Sequence, residues 1–467
     1  MSSEQPVSRS TLARLTDGPT EGVRELPSES TPQSFRLGTG LDIYASALLP
    51  AVLVARRELL LVTCFWHKSQ TLAALNLTLL ELARRRRLDP ARQPLKIRIC
   101  LSSTGPLQML LHSYRRGNYT YPPTSWSSKL GLPSPDVMAA ADIDLRVKSL
   151  FALPFSVMHP KYMIVDRSRA FIPSCNVSFE PWLEGCVEIT GPAIERLLDF
   201  YRRTWDPALP SESIGAGDGA PSALLAGSHT VGISSQMSSA ATLVTLDYDT
   251  PQPTVVLPSP YHRNPRIRPF PWQSSASPPA TPLNVASLEL FRLASRSIYV
   301  QTPNLTCSAV LHALLDALRR GVDVHIVTNP NLMILEQLLT AWTTTSRCLK
   351  WLVRQYEAIR QIAGGTRRGR LRISHFKRLE VRQNGALPDL EMGSAGGEEP
   401  VRSHVKLTVV DDGFTLLGSG NMDRASWFTS QELGILFQST DFAIKTKAAM
   451  DGVLEGRVES RYDSETA

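Results

Sequence analysis

The 467-residue sequence contains few cysteines and no long apolar run. Each shortage argues against particular classes of protein. None of its six cysteines lies in a C-x-x-C pair, so we expect reduced, buried thiols and neither a disulfide framework nor a zinc site. No histidine and carboxylate cluster has metal-ligand spacing, and we expect no cofactor. The most apolar stretch, residues 41–66, is interrupted by Arg56, Arg57 and Glu58, which argues against a transmembrane helix. Because no signal peptide follows Met1, we expect an intracellular protein, cytoplasmic or peripheral to a membrane.

Composition predicts two globular halves with less ordered flanks. The hydrophobic content of 42% and charged content of 20% are typical of globular chains. The first 35 residues are rich in Ser, Thr, Pro and Glu, and the middle of the chain is rich in Ser, Gly, Ala and Pro. We therefore predict a disordered tail at 1–35, an N-terminal half at 36–206, a partly disordered connection at 207–282, a C-terminal half at 283–445 and a C-terminal tail at 446–467.

One pattern, H-x-K-x4-D, occurs twice in the chain. Each copy is followed by a small-residue turn that carries a serine and an asparagine. The first copy comprises His159, Lys161 and Asp166 with Ser174 and Asn176, and the second comprises His404, Lys406 and Asp411 with Ser419 and Asn421. A single H-x-K arises easily by chance, but two full copies with matching turns do not.

The spacing brings the polar side chains of each copy together. Histidine and lysine two positions apart on a strand point to the same face. The four apolar or β-branched residues between Lys and Asp, at 162–165 and 407–410, predict the rest of a buried strand. Two such half-sites supply two imidazoles, two ammonium groups and two amides. That set suits a phosphodiester, because cations and amides bind the phosphoryl oxygens while one histidine attacks phosphorus and the other protonates the leaving alcohol.

The duplicated motif resembles the signature of the phospholipase D superfamily, and the chain is especially similar to uncharacterised fungal members. The second copy, residues 403–432, matches the family pattern almost throughout. The first copy departs from it, since Pro173 replaces a glycine and residues 177–180 replace the N-x-x-x-R-S continuation. The resemblance covers residues 40–440.

The resemblance implies a two-step displacement through a phosphohistidine. His159 is then the nucleophile, and His404 is the general acid and later the base. Lys161, Lys406, Asn176 and Asn421 hold the phosphoryl oxygens together with Ser174 and Ser419, while Asp166 and Asp411 fix local structure. Glu188 and Glu432 lie at similar distances past the two asparagines, and each either orients a histidine or is an ordinary surface carboxylate.

Strand and helix patterns repeat in the two halves. A strand at 57–66, a helix at 69–87 and a strand at 95–102 are matched by a strand at 297–304, a helix at 308–320 and a strand at 322–328. The fold class is therefore α/β, with two similar halves related by a pseudo-twofold, mostly parallel central sheets with flanking helices, and an active site in the cleft between the halves.

The net charge of +7 is concentrated in part of the chain. Residues 347–378 hold ten Lys or Arg and one acidic residue, Glu357, which predicts either contact with a polyanion or a solvated basic face. The segment 261–272 alternates cations with aromatics and is either a lipid-headgroup or substrate contact or a solvated loop.

Three functions remain open. The first is a monomeric phospholipase D-type phosphodiesterase or phosphatidyltransferase that acts on phospholipids, with peripheral membrane contact and including cardiolipin-type synthesis. The second is a nuclease of the same superfamily that acts on nucleic acid. The third is a non-catalytic binding protein, which remains an alternative because Pro173 departs from the family pattern in the first copy. Binding to DNA should weaken steeply with salt, whereas apolar insertion into lipid should not.

Overall fold

The computed structural model describes residues 27–89, 91–105, 119–152, 156–209, 241–260, 270, 277–362, 368–379 and 399–466. The predicted tail before residue 27 and the cation–aromatic segment 261–272, apart from Phe270, lie outside the described residues. Within the described ranges, no helix is long and apolar enough to cross a membrane.

Strands and helices follow one another through both halves of the chain. The strands are β1 (Pro27–Gly38), β2 (Glu58–Phe65), β3 (Leu95–Ser103), β4 (Tyr119–Thr120), β5 (Ile143–Ser149), β6 (Phe151–Ala152), β7 (Ser156–Val157), β8 (Tyr162–Val165), β9 (Arg169–Pro173), β10 (Trp182–Thr190), β11 (Thr242–Thr245), β12 (Gln252–Ser259), β13 (Ser297–Gln301), β14 (Asp323–Thr328), β15 (Leu371–Phe376), β16 (Arg402–Ser403), β17 (Leu407–Val410), β18 (Phe414–Gly418), β19 (Glu432–Gln438) and β20 (Val458–Asp463). The α-helices are α1 (Gly40–Ile43), α2 (Leu49–Leu53), α3 (Gln70–Leu88), α4 (Pro135–Ala140), α5 (Ala193–Thr204), α6 (Pro282–Leu293), α7 (Ser308–Arg319), α8 (Ile334–Ala341), α9 (Thr345–Ile362), α10 (Arg424–Phe428) and α11 (Thr440–Leu454).

The β-α-β unit predicted in each half is present. In the N-terminal half, Ser69 caps α3 by accepting the amide hydrogen of Leu72, and β2 pairs in parallel with β3. In the C-terminal half, Gly321 follows α7 with a φ of 92°, a backbone angle that suits glycine at a helix end. The next strand, β14, then pairs in parallel with β13.

The prediction of mostly parallel sheets is wrong, because the sheet is mixed and antiparallel pairs are more numerous. The H-x-K strands β8 and β17 each join the next strand through a three-residue turn, at 166–168 and 411–413. A connection this short permits only an antiparallel hairpin, since parallel neighbours need a long crossover. The pseudo-twofold relation of the halves stays a prediction.

Ordered structure extends beyond the predicted domain boundaries. Strand β1 begins inside the predicted tail, where Ser30 Oγ and Thr254 Oγ1 lie 2.7 Å apart in the core. Strand β12 lies inside the predicted connection, and α11 crosses the boundary at 445. In the predicted C-terminal tail, β20 pairs with β15. The two-half division itself stays a prediction.

The two halves share one sheet and one apolar core. Strand β12 pairs with β1 on one side and with β19 on the other. Tyr162, Leu183 and Val187 from the first half lie in the same buried cluster as Leu407 and Phe437 from the second. This shared packing fixes the strand ends that carry the two motifs against each other.

Candidate active site

The two motif histidines precede β8 and β17, and the backbone of each is held by the opposite half of the chain. The amide of His159 donates to the carbonyl of Gln431 at 3.1 Å, and that of His404 donates to the carbonyl of Leu183 at 2.8 Å. Strand β16, which ends just before His404, also pairs with the start of β10. The chain therefore brings the two motifs to a common site between its halves.

Each histidine ring also pairs with a carboxylate from the opposite half. Nδ1 of His159 lies 2.9 Å from Glu432 Oε2, and Nδ1 of His404 lies 2.9 Å from Glu184 Oε1. The ring of Trp182 packs on His404 with 5.0 Å between the ring centroids, a contact that no sequence motif indicated. A carboxylate on Nδ1 fixes the orientation of the ring and leaves Nε2 as the nitrogen for chemistry.

Sequence reasoning missed Glu184. Of the two roles left open for Glu188, contact with a histidine is absent among the described residues. Glu188 accepts hydrogen bonds from the guanidinium of Arg169 and the hydroxyl of Ser34, at the far end of β10. The similar count from each asparagine misled the sequence analysis because the second half inserts helix α10 before its glutamate. The first half lacks that helical turn, so its glutamate comes sooner.

Ser174 and Ser419 each hold one of the two glutamates, and their contact with substrate stays a prediction. Ser419 Oγ donates to Glu432 Oε2 at 2.5 Å, and Ser174 Oγ donates to Glu184 Oε2. Each serine hydroxyl also accepts the amide hydrogen of the residue after its glutamate, at 3.0 and 2.9 Å. The serines therefore fix the carboxylates that face the histidines.

The two motif lysines are buried and differ in their partners. Lys406 Nζ donates to the carbonyl of His404 at 2.7 Å. Lys161 Nζ has no hydrogen-bond partner within the described part of the chain, although the side chain is 2% exposed. Because an unpaired buried ammonium is costly, this group calls for an anionic partner.

The two asparagines present their amides differently. Asn176 Oδ1 accepts the amide hydrogen of Phe65 at 3.2 Å, so its Nδ2 is left to donate. Asn421 Nδ2 donates to Asp423 Oδ2 at 3.1 Å, and burial raises the pKa of Asp423. The two half-sites are therefore alike in their histidines but not in their amides.

Asp166 and Asp411 lie at the opposite ends of the motif strands from the histidines. Asp166 accepts backbone amide hydrogens from residues 56–58, and Asp411 accepts those of residues 295–297. Four residues of extended chain lie between each lysine and its aspartate, and the five residue steps span roughly 16 Å. These contacts tie the motif hairpin to the start of β2 or β13.

Burial and neighbouring cations lower the affinity of both histidines for protons. Burial lowers the pKa of His159, and the charge of Lys161 lowers it further while Glu432 raises it. Burial and the charges of Lys406 and Lys161 hold the pKa of His404 well below its usual value. Burial raises the pKa of Glu184 to about 7. These groups act on one another electrostatically, as expected for a single cluster.

The departure at Pro173 leaves the first half-site in place. The corresponding residue, Gly418, has a φ of +150°, and a Cβ there would lie 2.2 Å from the carbonyl oxygen of Leu433. Proline cannot adopt that angle. Even so, the amide of Ser174 donates to Gly185 at 2.8 Å, just as that of Ser419 donates to Leu433 at 2.9 Å.

Comparison with known proteins finds one matching domain model and similar solved structures. Residues 288–454 match the family model described as "Cardiolipin synthase, PLD-like domain". No curated protein sequence matches the chain. Phosphatidylserine synthase from Haemophilus influenzae Rd KW20 is similar in structure, with a TM-score of 0.56, 13% identity, and 97% of this chain and 91% of that chain covered.

Two smaller proteins match parts of the chain. The phospholipase D family member Nuc from Salmonella typhimurium has a TM-score of 0.27 and 16% identity over 44% of this chain and 96% of its own. NucT from Helicobacter pylori has a TM-score of 0.25 and 17% identity over 38% and 89%. Residues 288–454 match a PLD-like domain model, and the chain is similar in fold to the H. influenzae synthase. The similarity to fungal proteins stays a prediction.

Proposed function

We propose that the protein is a phospholipase D-like enzyme that cleaves or transfers the phosphatidyl group of glycerophospholipids through a phosphohistidine intermediate. The observation that carries the proposal is the pair of reciprocal histidine–glutamate contacts beside two buried lysines. A phosphodiester supplies the anion that Lys161 lacks, and the two histidines supply a nucleophile and an acid on opposite sides of phosphorus.

In the first step, Nε2 of His159 forms a bond to phosphorus while the bond from phosphorus to the headgroup oxygen breaks. His404 gives its proton to the departing alcohol. In the second step, water or an acceptor alcohol gives a proton to His404 and attacks phosphorus, and the N–P bond breaks. The product is phosphatidic acid with water, or a new phosphatidyl ester with an alcohol, as in cardiolipin-type synthesis. Glu432 and Glu184 are positioning residues in this scheme.

The charge of the substrate matters for the protonation of His404. The lysine charges lower the pKa values of both histidines. A bound phosphodiester offsets those charges, and the pKa of His404 then rises toward the range in which it carries a proton. His159 needs to stay neutral to attack, and its burial favours that state.

A lipid substrate is supported by the names of the related proteins. The matching family model is described as a cardiolipin synthase domain, and the structural relative as a phosphatidylserine synthase. Both names concern phosphatidyl transfer, and hydrolysis and transfer differ only in the acceptor of the second step.

The alternative is cleavage of nucleic acid by the same chemistry. Arg347, Lys350 and Arg354 are exposed along α9, and cations in such a row suit a nucleic-acid backbone.

One assay separates the two substrates. Purified protein is incubated with phosphatidylcholine, phosphatidylglycerol or single-stranded DNA, with and without EDTA and a primary alcohol, beside H159A and H404A. We expect phosphatidic acid, or the phosphatidyl alcohol when alcohol is present, and loss of both products in either variant. DNA cleavage alone, lost in the same variants, would transfer the protein to the nuclease class. Lipid turnover that persists in both variants would refute the two-histidine mechanism.

A further inference from the structure

Helix α8 buries a glutamine and exposes two leucines, the opposite of the usual arrangement on a surface helix. Its buried residues are Gln337 and Ala341, one turn apart. Leu335 and Leu339, also one turn apart, are 78% and 61% exposed. A surface helix ordinarily buries such leucines and exposes its glutamine. An apolar stripe that faces solvent on an ordered helix is typical of a contact surface.

The buried glutamine fixes α8 beside the candidate active site. Gln337 Oε1 accepts hydrogen bonds from the amide of Thr345 at 2.6 Å and from its hydroxyl at 3.0 Å. The same hydroxyl accepts the amide hydrogen of Leu305 at 3.0 Å. Leu305 in turn pairs with Met422, the residue after Asn421. The exposed leucines are therefore connected to the second asparagine turn by a short chain of direct contacts.

A row of cations begins a few residues after the exposed leucines. Arg347, Lys350 and Arg354 occupy one face of α9 at helical spacing, and all three are exposed. None of the three forms an ion pair with another described residue. Together, Leu335, Leu339 and these three cations form what we call the docking surface.

We propose that the docking surface binds an anionic phospholipid bilayer, with the two leucines entering the interface and the three cations contacting headgroups. An exposed apolar stripe followed on the next helix by an exposed basic one is the combination that anionic membranes attract. A second copy of the chain fits less well, since a symmetric contact would bring the same cations against one another. The proposal rests on the proposed function for its purpose: the bilayer supplies the substrate, and docking brings the site to it.

The experiment separates docking from turnover. Full-length protein is floated with vesicles of phosphatidylglycerol and phosphatidylcholine or of phosphatidylcholine alone, and its activity is measured on the same vesicles and on a water-soluble phosphodiester, bis(p-nitrophenyl) phosphate. We expect wild type to float with the anionic vesicles. In L335S/L339S, vesicle binding and vesicle turnover should fall at least tenfold, with turnover of the soluble ester unchanged. In R347Q/K350Q/R354Q, the preference for anionic vesicles should be lost.

Two control variants test whether the loss of any exposed apolar side chain weakens vesicle binding. L77S and I444S remove leucine and isoleucine side chains that are each 53% exposed elsewhere, and both variants should float like wild type. Equal flotation of L335S/L339S and wild type, or no flotation of wild type, overturns the proposal, as does a wild-type dimer that L335S/L339S converts to monomer. If the protein floats as expected but turns over no lipid, the proposed function fails and the docking surface stands.

Discussion

At the scale of single residues, the candidate site depends on the two glutamates behind the histidines. We predict that E184Q and E432Q each lower kcat by about 10–100-fold with a smaller change in KM, the usual cost of losing a carboxylate behind a functional imidazole. The measurement is steady-state turnover of phosphatidylglycerol.

E188Q is the matched control for these two variants. Glu188 binds Arg169 and Ser34 and touches neither histidine, so its loss should lower the melting temperature and leave kcat near the wild-type value. An equal loss of kcat in all three variants would contradict a specific role for Glu184 and Glu432.

The pH dependence of turnover follows from the same pairs. Burial raises the pKa of Glu184 to about 7 and lowers that of His404, so their shared proton leaves as the pH rises through that region. We expect kcat/KM to fall above about pH 7, because His404 then lacks the proton for the leaving alcohol. On the acid side, the lowered pKa of His159 places the loss of activity below pH 6.5. A profile of kcat/KM against pH measures both the acid and the alkaline fall in activity. In E184Q the alkaline fall should move to a different pH. An alkaline fall at the same pH in E184Q and wild type would contradict the role given to Glu184.

The motif residues could be predicted from the sequence because each histidine and lysine lie two positions apart in a short segment that leads directly into a buried strand. Histidine and lysine two apart need only one extended segment to share a face. The partners of the histidines come from the opposite half, and their position depends on the length of an irregular turn. Glu184 was missed for this reason, and so were the contacts of the two serines with the glutamates, which also cross a turn.

At the scale of secondary-structure elements, the glycine before the second asparagine turn occupies a tightly constrained position. A Cβ on Gly418 would lie 2.2 Å from the carbonyl oxygen of Leu433, and its φ of +150° is one that other residues rarely adopt. We predict that G418A lowers the free energy of unfolding by about 1–3 kcal/mol and also lowers activity, because β18 and β19 must separate where Ser419 holds Glu432. Chemical denaturation and turnover check the two effects.

G452A provides the matched change in a permissive setting. No atom lies within 4 Å of a Cβ at Gly452, which is in helix α11. We expect this variant to be as stable as wild type or more stable by about 0.5–1 kcal/mol. Equal destabilisation in both variants would show that the close approach at Gly418 is not the cause.

The sequence predicted the individual strands and helices of the β-α-β units because apolar periodicity and caps such as Ser69 are local signals. The predicted strand directions were wrong because whether two successive strands run parallel or antiparallel depends on the length of the connection between them. The three-residue turns at 166–168 and 411–413 carry that information and require hairpins, but the alternation of helices and strands suggested a parallel sheet.

At the scale of the whole molecule, one chain supplies both histidines and both glutamates. We predict that a mixture of H159A and H404A, prepared by co-expression, has no activity above that of either variant alone. The measurement is phosphatidylglycerol turnover by the purified mixture. Recovery of activity would show that two chains combine their halves into one site, contrary to a monomeric enzyme.

The extent of the folded molecule could be predicted only in part. Composition identified the polar segments at both ends of the chain, but β1 begins and β20 lies in segments that were predicted to be tails. Strand β20 is added to the sheet by pairing with β15, whereas β1 lies between β10 on one side and β11 and β12 on the other. Both are stabilised by strands that are distant in the sequence. The composition of a short segment cannot predict pairing with a strand far away in the sequence.

The central claim is that His159 forms a covalent bond to phosphorus during turnover. The most direct measurement is mass spectrometry of the protein denatured in alkali during turnover of a short-chain phosphatidylglycerol, since phosphohistidine survives base better than acid. The account predicts a phosphatidyl adduct on the peptide that contains His159, absent from H159A. An adduct on a different residue, or steady turnover by H159A, would contradict it.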